Sequence, residues 1–202
     1  MAKMGKFSAS GMKKLQKQLN KIQQNNIEAF VDSCAKELAA RLLAKVTKRT
    51  PVGDYSKEIE VVAKRDSKHH KKGDTYTKRV NPSGRVGGVL RRGWTSKTHE
   101  EAENGKGMPT KEKVMEFVDS LTIQHDGDLL VIKIENPVKY ASYVEYGHRQ
   151  KAGRYVPALG KKLKQGWVQG QFMLTTSEQE IQNIAPKVLE AKIKKFLGEC
   201  FK

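Results

Sequence analysis

The hydrophobic positions in the first quarter of the chain follow a helical period. Between Ser8 and Lys48, apolar residues recur at intervals of three and four, with charged residues between them. Asn25-Asn26 marks either a kink or a break between two helices. The segment ends at Thr50-Pro51, because the residue before a proline is pushed out of the helical region. The pattern predicts a first stripe of Leu15, Leu19 and Ile22 and a second of Ile27, Phe30, Val31, Cys34, Leu38, Leu42 and Val46.

The next sixty residues are the least periodic part of the chain. Ile59–Ala63 and Thr75–Val80 have the residue types of short strands. The polar run Ser67–Asp74 between them predicts a mobile loop. Asn81–Gly84 is a turn signal, and His99–Gly107 is predicted to be a flexible surface stretch.

A hairpin signal follows. Asp126-Gly127 lies between two apolar runs, Phe117–Gln124 and Leu129–Glu135, and glycine supplies the positive φ that such a turn needs. Lys111–Glu116 fits a helix or a strand equally well. The alternation predicts one shared face for Leu130, Ile132 and Ile134.

Two further helices are predicted after the hairpin. Asn136-Pro137 is typical of an N-cap followed by the first helical residue, and Gly147 suits the far end. This frames a helix over Pro137–Tyr146, followed by a basic, glycine-containing loop. A long helix from Phe172 to Leu197 closes the chain, and Pro186 should kink or divide it.

These elements predict an α+β fold in a single domain spanning residues 1–202. An antiparallel β-sheet would be packed by a long N-terminal helix, a short helix after the hairpin and a long C-terminal helix. Hydrophobic residues make up 37% of the chain, charged residues 30%, and mean hydropathy is -0.67. No run of eighteen apolar residues and no secretory leader is present, which predicts no membrane partner and assembly in a reducing cytoplasm. Cys34, on the apolar stripe, is predicted to be a small buried hydrophobe.

The net charge of +17 is concentrated in two stretches. From Lys64 to Arg92, ten lysines and arginines oppose two aspartates, and from Arg149 to Lys164 six oppose none. Such stretches are either solvated loops or contacts for a polyanion, which is nucleic acid or an acidic protein surface. The candidate polyanion-contacting residues are Lys68, Lys71, Lys72, Lys78, Arg79, Lys161, Lys162 and Lys164.

No catalytic or cofactor-binding pattern is found in the sequence. The five histidines lack partner cysteines at metal-ligand spacing, and Gly84–Gly88 lacks the Lys-Ser/Thr ending of a phosphate-binding loop. The sequence therefore predicts a protein that is not an enzyme and binds no cofactor or metal. A hydrolase is the weakest of the functions considered, because the sequence shows no catalytic constellation.

Three segments occur in an order that resembles a known family. Thr50-Pro51-Val52-Gly53 and Leu90-Arg91-Arg92-Gly93-Trp94 form the first, split by about thirty-five residues. Tyr140–Arg149 matches Tyr-Ala-x-Tyr-Val-Glu-x-Gly, and Trp167–Leu174 is similar to Val-x-Gly-x-x-Met-Leu before a terminal helix. Together they resemble the lambdoid-type phage neck, or tail-completion (head–tail joining), proteins. The departure from that family is a basic loop insertion at about 54–87.

The resemblance implies a structural subunit of a phage or phage-tail-like particle. It would form a ring, sixfold to match a tail tube, at the head-proximal end of the tail. Its partners would be itself, the connector and the tail-terminator or tail-tube proteins, with DNA passing without sequence-specific contacts. The alternative is a monomeric basic nucleic-acid-binding protein, although aromatic residues are sparse in its basic stretches.

The resemblance also marks candidate interface residues. Leu90 is expected to be buried with its neighbouring arginines exposed, and Trp94 should anchor the sheet or an interface. Glu145 and Arg149 are expected to pair across a helical turn or a subunit boundary. The full set is Leu90, Arg91, Trp94, Tyr140, Tyr143, Glu145, Gly147, Arg149, Phe172 and Met173.

Overall fold

The computed structural model describes residues 13, 16, 17, 20, 27–82, 84, 87–127, 129–157 and 160–200. Along the chain the elements are α1 (Ile27–Arg49), β1 (Lys57–Val62), β2 (Thr75–Val80), α2 (Val89–Gly93), α3 (His99–Asn104), α4 (Lys111–Asp119), β3 (Ile123–Asp126), β4 (Leu129–Ile132), α5 (Ala141–Tyr146), β5 (Gly147–Arg149), β6 (Tyr155–Val156), β7 (Lys161–Lys162), β8 (Trp167–Gln169) and α6 (Met173–Cys200).

Helix α1 lies at the centre of the core. It ends at Arg49, before Thr50-Pro51, as its sequence predicts. The predicted stripe is partly wrong: Cys34 and Val46 are buried as predicted, but Ile27 and Val31 are exposed. The buried face of the helix also includes Ala39 and Leu43. The predicted Leu15, Leu19 and Ile22 stripe and the break at Asn25-Asn26 lie outside the described residues.

Helix α6 packs antiparallel to α1. At one end the rings of Phe30 and Phe196 stack with centroids 4.3 Å apart. At the other end the Arg49 guanidinium donates to the Ser177 hydroxyl at 3.0 Å and to the Glu180 carboxylate at 2.6 Å. Pro186 does not divide α6, which runs as one helix from Met173 to Cys200.

Most of the helices contribute at least one side chain to the core. Its buried members are Ala39, Leu43, Val46, Leu90, Trp94, Ala102, Val114, Val118, Val138 and Met173, with Ile132 and Ile134 packed against them. The alternation predicted for β4 is confirmed, since Leu130 and Ile132 are half-buried whereas Leu129 and Val131 are exposed.

Two helices occupy stretches that the sequence pattern did not assign to helix. His99–Asn104 is helical, so the prediction of a flexible surface stretch is wrong; Thr98 caps the helix and Ala102 is fully buried. Lys111–Asp119 is a helix capped by Thr110, which settles the choice between helix and strand that the sequence left open for Lys111–Glu116. The strand predicted from Phe117 is also wrong over its first residues. These residues belong to α4, and Val118 packs into the core.

The short helix after the β3–β4 hairpin begins at Ala141 rather than at Pro137. Asn136 is not its N-cap. The Asn136 side chain accepts a hydrogen bond from the Val138 N–H at 3.1 Å and donates to the Leu90 carbonyl at 2.8 Å. The residues before α5 are thereby held against α2, which places Val138 in the core.

The α+β class is confirmed, with helices and small antiparallel sheets. The strands form four two-stranded pairs, β1–β2, β3–β4, β5–β8 and β6–β7. β2 has the predicted bounds, and β1 is shifted by one or two residues from its prediction. The segment predicted as a basic loop after Gly147 contains the last two pairs.

Those two pairs form one antiparallel ribbon. Between them the Gln150 N–H donates to the Gly166 carbonyl at 2.9 Å, and the Gly153 N–H donates to the Leu163 carbonyl at 2.8 Å. We refer to residues 147–169 as the arm and to residues 57–80 as the basic hairpin. Each packs mainly against itself.

Candidate interaction surfaces

Glu145 connects α5 to the start of α6. Its carboxylate accepts hydrogen bonds from the Leu174 N–H at 2.9 Å, the Thr175 N–H at 3.0 Å and the Thr175 hydroxyl at 2.9 Å. The first N–H groups of a helix lack partners within the helix and favour an anion. The predicted pairing of Glu145 with Arg149 across a helical turn is therefore wrong: Glu145 is 5% exposed and caps α6.

The segment Leu90–Trp94 forms a helical turn. Leu90 is buried as predicted, but the expected exposure of the arginines is wrong. Arg91 is half-buried and donates to the Thr50 carbonyl through Nε at 3.0 Å. Arg92 is 3% exposed and donates to the carbonyls of Ala102 at 2.8 Å and Gly87 at 3.0 Å. Both arginines satisfy backbone carbonyls of adjoining segments, so they join α2 to its neighbours.

Trp94 anchors the helical core. The indole is 3% exposed, and its N–H donates to the Thr50 hydroxyl at 2.7 Å. The Thr50 hydroxyl in turn donates to the Val46 carbonyl at 2.7 Å. Met173, another predicted interface residue, is fully buried in the same core. Leu90, Trp94 and Met173 therefore stabilise the fold and do not form an external surface of the isolated chain.

Aromatic side chains are exposed around α5 and the base of the arm. Their exposed fractions are 41% for Tyr140, 58% for Tyr143, 60% for Tyr146, 50% for Trp167 and 42% for Phe172. We call these five residues the aromatic surface. Gly147 allows the end of α5 and strand β8 to lie in contact, since it has φ +84° and a Cβ there would meet the Val168 carbonyl oxygen. Exposed tyrosine and tryptophan in one region are typical of a protein interface.

A small cleft lies beside the aromatic surface. It has a volume of about 300 Å³ and is lined mainly by Val52, Tyr55, Leu90, Tyr140 and Val144. Burial raises the pKa of the Tyr140 phenol, with smaller contributions from Tyr55 and Glu103. We refer to this pocket as the cleft. The acidic helix α3 packs against α2, which contributes Val89 and Leu90 to its lining.

The basic hairpin presents the first set of predicted cationic residues. Lys68, Lys71, Lys72 and Lys78 are exposed, and among the described residues none of them forms an ion pair with a carboxylate. Arg79 is paired with Glu58 at 3.1 Å. The loop is held by its own hydrogen bonds, which include Asp66 and Asp74 carboxylates accepting from the N–H groups of Lys72 and Lys71. The cationic surface of the Lys64–Arg92 stretch is smaller than its charge count indicates, because Arg92 is buried and Arg91 is half-buried, each donating to a backbone carbonyl.

The arm presents the second set. Lys161, Lys162 and Lys164 are exposed, as is Arg149, and the arm contains no acidic residue. In the register of its outer pair, Tyr155 lies opposite Lys162 and Val156 opposite Lys161. The predicted residues thus lie on two separate β-hairpins.

A larger apolar groove runs along α1 and α4. Its volume is about 820 Å³, and Ala40, Ala44, Met108, Val114 and Met115 lie among its lining residues. Lys36 and Asp119 pair at its rim, 3.6 Å apart. This groove contains none of the residues predicted as interface positions.

The described residues contain no cluster of three or more histidine, cysteine, aspartate or glutamate side chains that could hold a metal ion. Within the same part of the chain, no helix is both long and apolar enough to cross a membrane. Cys34 is a free thiol buried on α1, as predicted.

Sequence reasoning missed three parts of these surfaces. The Thr98-x-x-Glu101 spacing is a capping-box signal for α3, which carries three glutamates. The burial of the Arg92 side chain has no sequence signal, because its partners are backbone carbonyls that only tertiary packing brings close to the guanidinium. The exposure of Tyr146 and Trp167 likewise follows from the orientation of α5 and β8.

A comparison with protein-family models found one match. The model is the HK97-gp10-like family, described as "Bacteriophage HK97-gp10, putative tail-component", and it matches residues 13–85 and 78–147. These two ranges together cover about two thirds of the chain, including α1, the basic hairpin and α5. No curated protein and no solved structure matched the chain. The chain belongs to the HK97-gp10-like family of bacteriophage tail components.

Proposed function

We propose that this tail component is a non-enzymatic structural subunit that forms a ring at the neck. The ring joins the connector to the tail-terminator and tail-tube proteins in a virion or a phage-tail-like particle. The family match supports a tail component, and the order of the Tyr140–Arg149 and Trp167–Leu174 segments supports the neck position.

The aromatic surface is the observation that carries the proposal. Five large aromatic side chains exposed around one short helix and one β-ribbon favour burial against another protein. A contact repeated around an axis between two different faces of identical chains closes into a ring. The proposed ring uses this surface for contacts between copies.

The basic hairpin supports a role beside a polyanion. Its exposed lysines have no carboxylate partners among the described residues, and the hairpin packs mainly on itself. Contacts to phosphates through lysine are independent of sequence and weaken as salt is added. In the proposed ring, Lys68, Lys71 and Lys72 line the DNA channel or face an acidic rim of an adjacent ring.

The test is the multimeric state of the full chain. We expect mass photometry and negative-stain electron microscopy to show a discrete ring, either for the chain alone or with its tail-terminator and tail-tube proteins. Tyr143→Ser with Tyr146→Ser should abolish the ring. Met108→Ser with Met115→Ser is the matched control, since it removes two exposed apolar side chains from the groove on α1 and α4.

A chain that stays monomeric alone and with the tail proteins would contradict the ring. Tight, salt-dependent binding of nucleic acid by that monomer would favour the alternative function, a monomeric nucleic-acid-binding protein. The variants Lys71→Glu and Lys72→Glu test the polyanion contact separately. We expect them to bind nucleic acid more weakly than wild type and to form the same ring.

A further inference from the structure

We propose that the outer end of the arm of one copy docks into the cleft of the next copy, with Tyr155 as the anchor. This inference rests on the proposed function, since it adds a second contact, beside the aromatic surface, between the identical chains of the ring. It assigns a donor, the arm, and an acceptor, the cleft with α3 beside it.

The donor is a pre-formed apolar and cationic element. Tyr155 is 56% exposed and lies opposite Lys162 in the outer strand pair. Arg154 and Lys161 are also exposed beside it. Backbone hydrogen bonds hold the ribbon, including Leu163 N–H to the Arg154 carbonyl at 2.8 Å. Little conformational entropy is therefore lost when this end is bound.

The acceptor is an apolar cleft with half-exposed walls. Val52 is 46% exposed, Tyr55 is 42% exposed and Tyr140 is 41% exposed. A volume of about 300 Å³ accommodates one aromatic side chain. An inserted Tyr155 ring would contact the rings of Tyr55 and Tyr140 and cover the walls that are now open to solvent.

The charges beside the cleft complement those of the arm. Helix α3 contains Glu100, Glu101 and Glu103 and no lysine or arginine, in a chain whose net charge is +17. Helix α3 packs against α2, whose Val89 and Leu90 line the cleft, and the Arg92 guanidinium joins the two helices by donating to the Ala102 carbonyl at 2.8 Å. Lys97 and Lys106 flank α3 on either side. The arm carries six basic residues and no acid, so the attraction orients its outer end toward α3.

The geometry favours a second copy over the same chain. The outer end of the arm does not fill the cleft of its own chain. Tyr155 is 56% exposed, and no residue of the arm is among those that line the cleft. Donor and acceptor are different faces, which is the arrangement that closes a ring.

The first experiment maps the contact directly. A photo-crosslinking phenylalanine analogue replaces Tyr155 in the full chain, and labelled and unlabelled chains are mixed so that crosslinks between copies can be recognised. We expect crosslinks between copies to peptides that contain Val52, Tyr55 or Tyr140. The same analogue at Tyr76 in the basic hairpin is the control and should give none of these.

The second experiment reverses charge on either side. The arm variant Lys161→Glu/Lys162→Glu and the cleft variant Glu100→Lys/Glu103→Lys should each lose the multimer. An equimolar mixture should recover it, because the carboxylates introduced at positions 161 and 162 then face the lysines introduced on α3, and the unchanged arms face the unchanged α3. Lys71→Glu/Lys72→Glu makes the same charge change in the basic hairpin and should leave the multimer intact.

The outcomes separate the two proposals. A ring that persists in both charge-reversal variants, or crosslinks between copies that avoid the cleft, would overturn the docking and leave the ring in place. A wild-type chain that is monomeric with and without tail proteins, and that gives no crosslink between copies, would overturn both.

Discussion

The Glu145 carboxylate lies at the N-terminus of α6 and accepts hydrogen bonds from both the N–H and the hydroxyl of Thr175, at 3.0 and 2.9 Å. The adjacent backbone adds two bonds, Phe172 N–H to the Glu145 carbonyl at 3.0 Å and Gln171 N–H to the Val144 carbonyl at 2.8 Å. A glutamate that the family resemblance marks as an interface residue thus holds two segments of one chain together. The relation between α5 and α6, and with it the base of the arm, depends on this contact.

Replacing Glu145 by alanine should destabilise the protein by about 2 kcal/mol, because the N-terminus of α6 loses a buried, charged capping group. Glu145→Gln should cost less, since an amide oxygen still accepts but carries no charge. Urea unfolding followed by circular dichroism measures both. A loss below about 0.5 kcal/mol for the alanine variant would show that water replaces the cap.

Two buried threonines at the end of α1 should respond in opposite ways to the same substitution. The Thr50 hydroxyl accepts from Trp94, so Thr50→Val leaves a buried indole N–H unpaired and should cost about 1–3 kcal/mol. The Thr47 hydroxyl is buried without a hydrogen-bond partner, so Thr47→Val should be neutral or stabilising. Thermal unfolding of the two variants gives the comparison. Equal losses would contradict the roles assigned to both hydroxyls.

Acid should weaken the contact between α1 and α6. Hydrogen bonds from Lys45 and then Arg49 hold the pKa of Glu180 below its usual value of 4.5. A carboxyl whose pKa is lower in the folded state stabilises the fold above its unfolded pKa, and that contribution is lost as pH falls through the folded pKa. Glu180→Gln should therefore be less stable than wild type at pH 7, with the difference shrinking below about pH 4.

The control for that pH dependence is Glu178→Gln on the exposed side of α6. Glu178 makes no ion pair among the described residues. Urea midpoints at pH 7 and at pH 3 should change little between this variant and wild type. A difference for Glu180→Gln that stays constant with pH would mean that the ion pairs contribute nothing measurable.

Removing the basic hairpin should leave the core folded. Lys57 and Val80 are directly paired, so a short Gly-Gly link can replace everything between them. Because the hairpin packs mainly on itself, we expect unchanged helical circular dichroism and cooperative unfolding. Loss of cooperative unfolding would show that the hairpin belongs to the core. The same variant should be retained less strongly than wild type on a column that carries phosphate groups, because it lacks the lysines of the hairpin.

The sequence predicted the elements whose signals are local. The C-terminal end of α1 follows from Thr50-Pro51, the start of α6 follows from its periodicity to within one residue, and the β3–β4 turn follows from Asp126-Gly127. The bounds of β2 follow from its threonine, tyrosine and valine content. The α+β class requires no more than these signals.

Tertiary structure decided which charged groups face inward. Arg92 and Glu145 have ordinary surface-residue patterns in the sequence, yet both are buried because backbone groups from distant segments pair with them. A sequence pattern records the period of an element, whereas the partner of a polar group depends on which segments pack nearby. The short strands of the arm were missed for the same reason: their pairing joins residues up to 22 positions apart, Gly147 with Gln169. The sequence alone therefore determined the two long helices, the hairpin turn and the family resemblance, and only the folded chain determined which aromatic and basic residues remain on its surface.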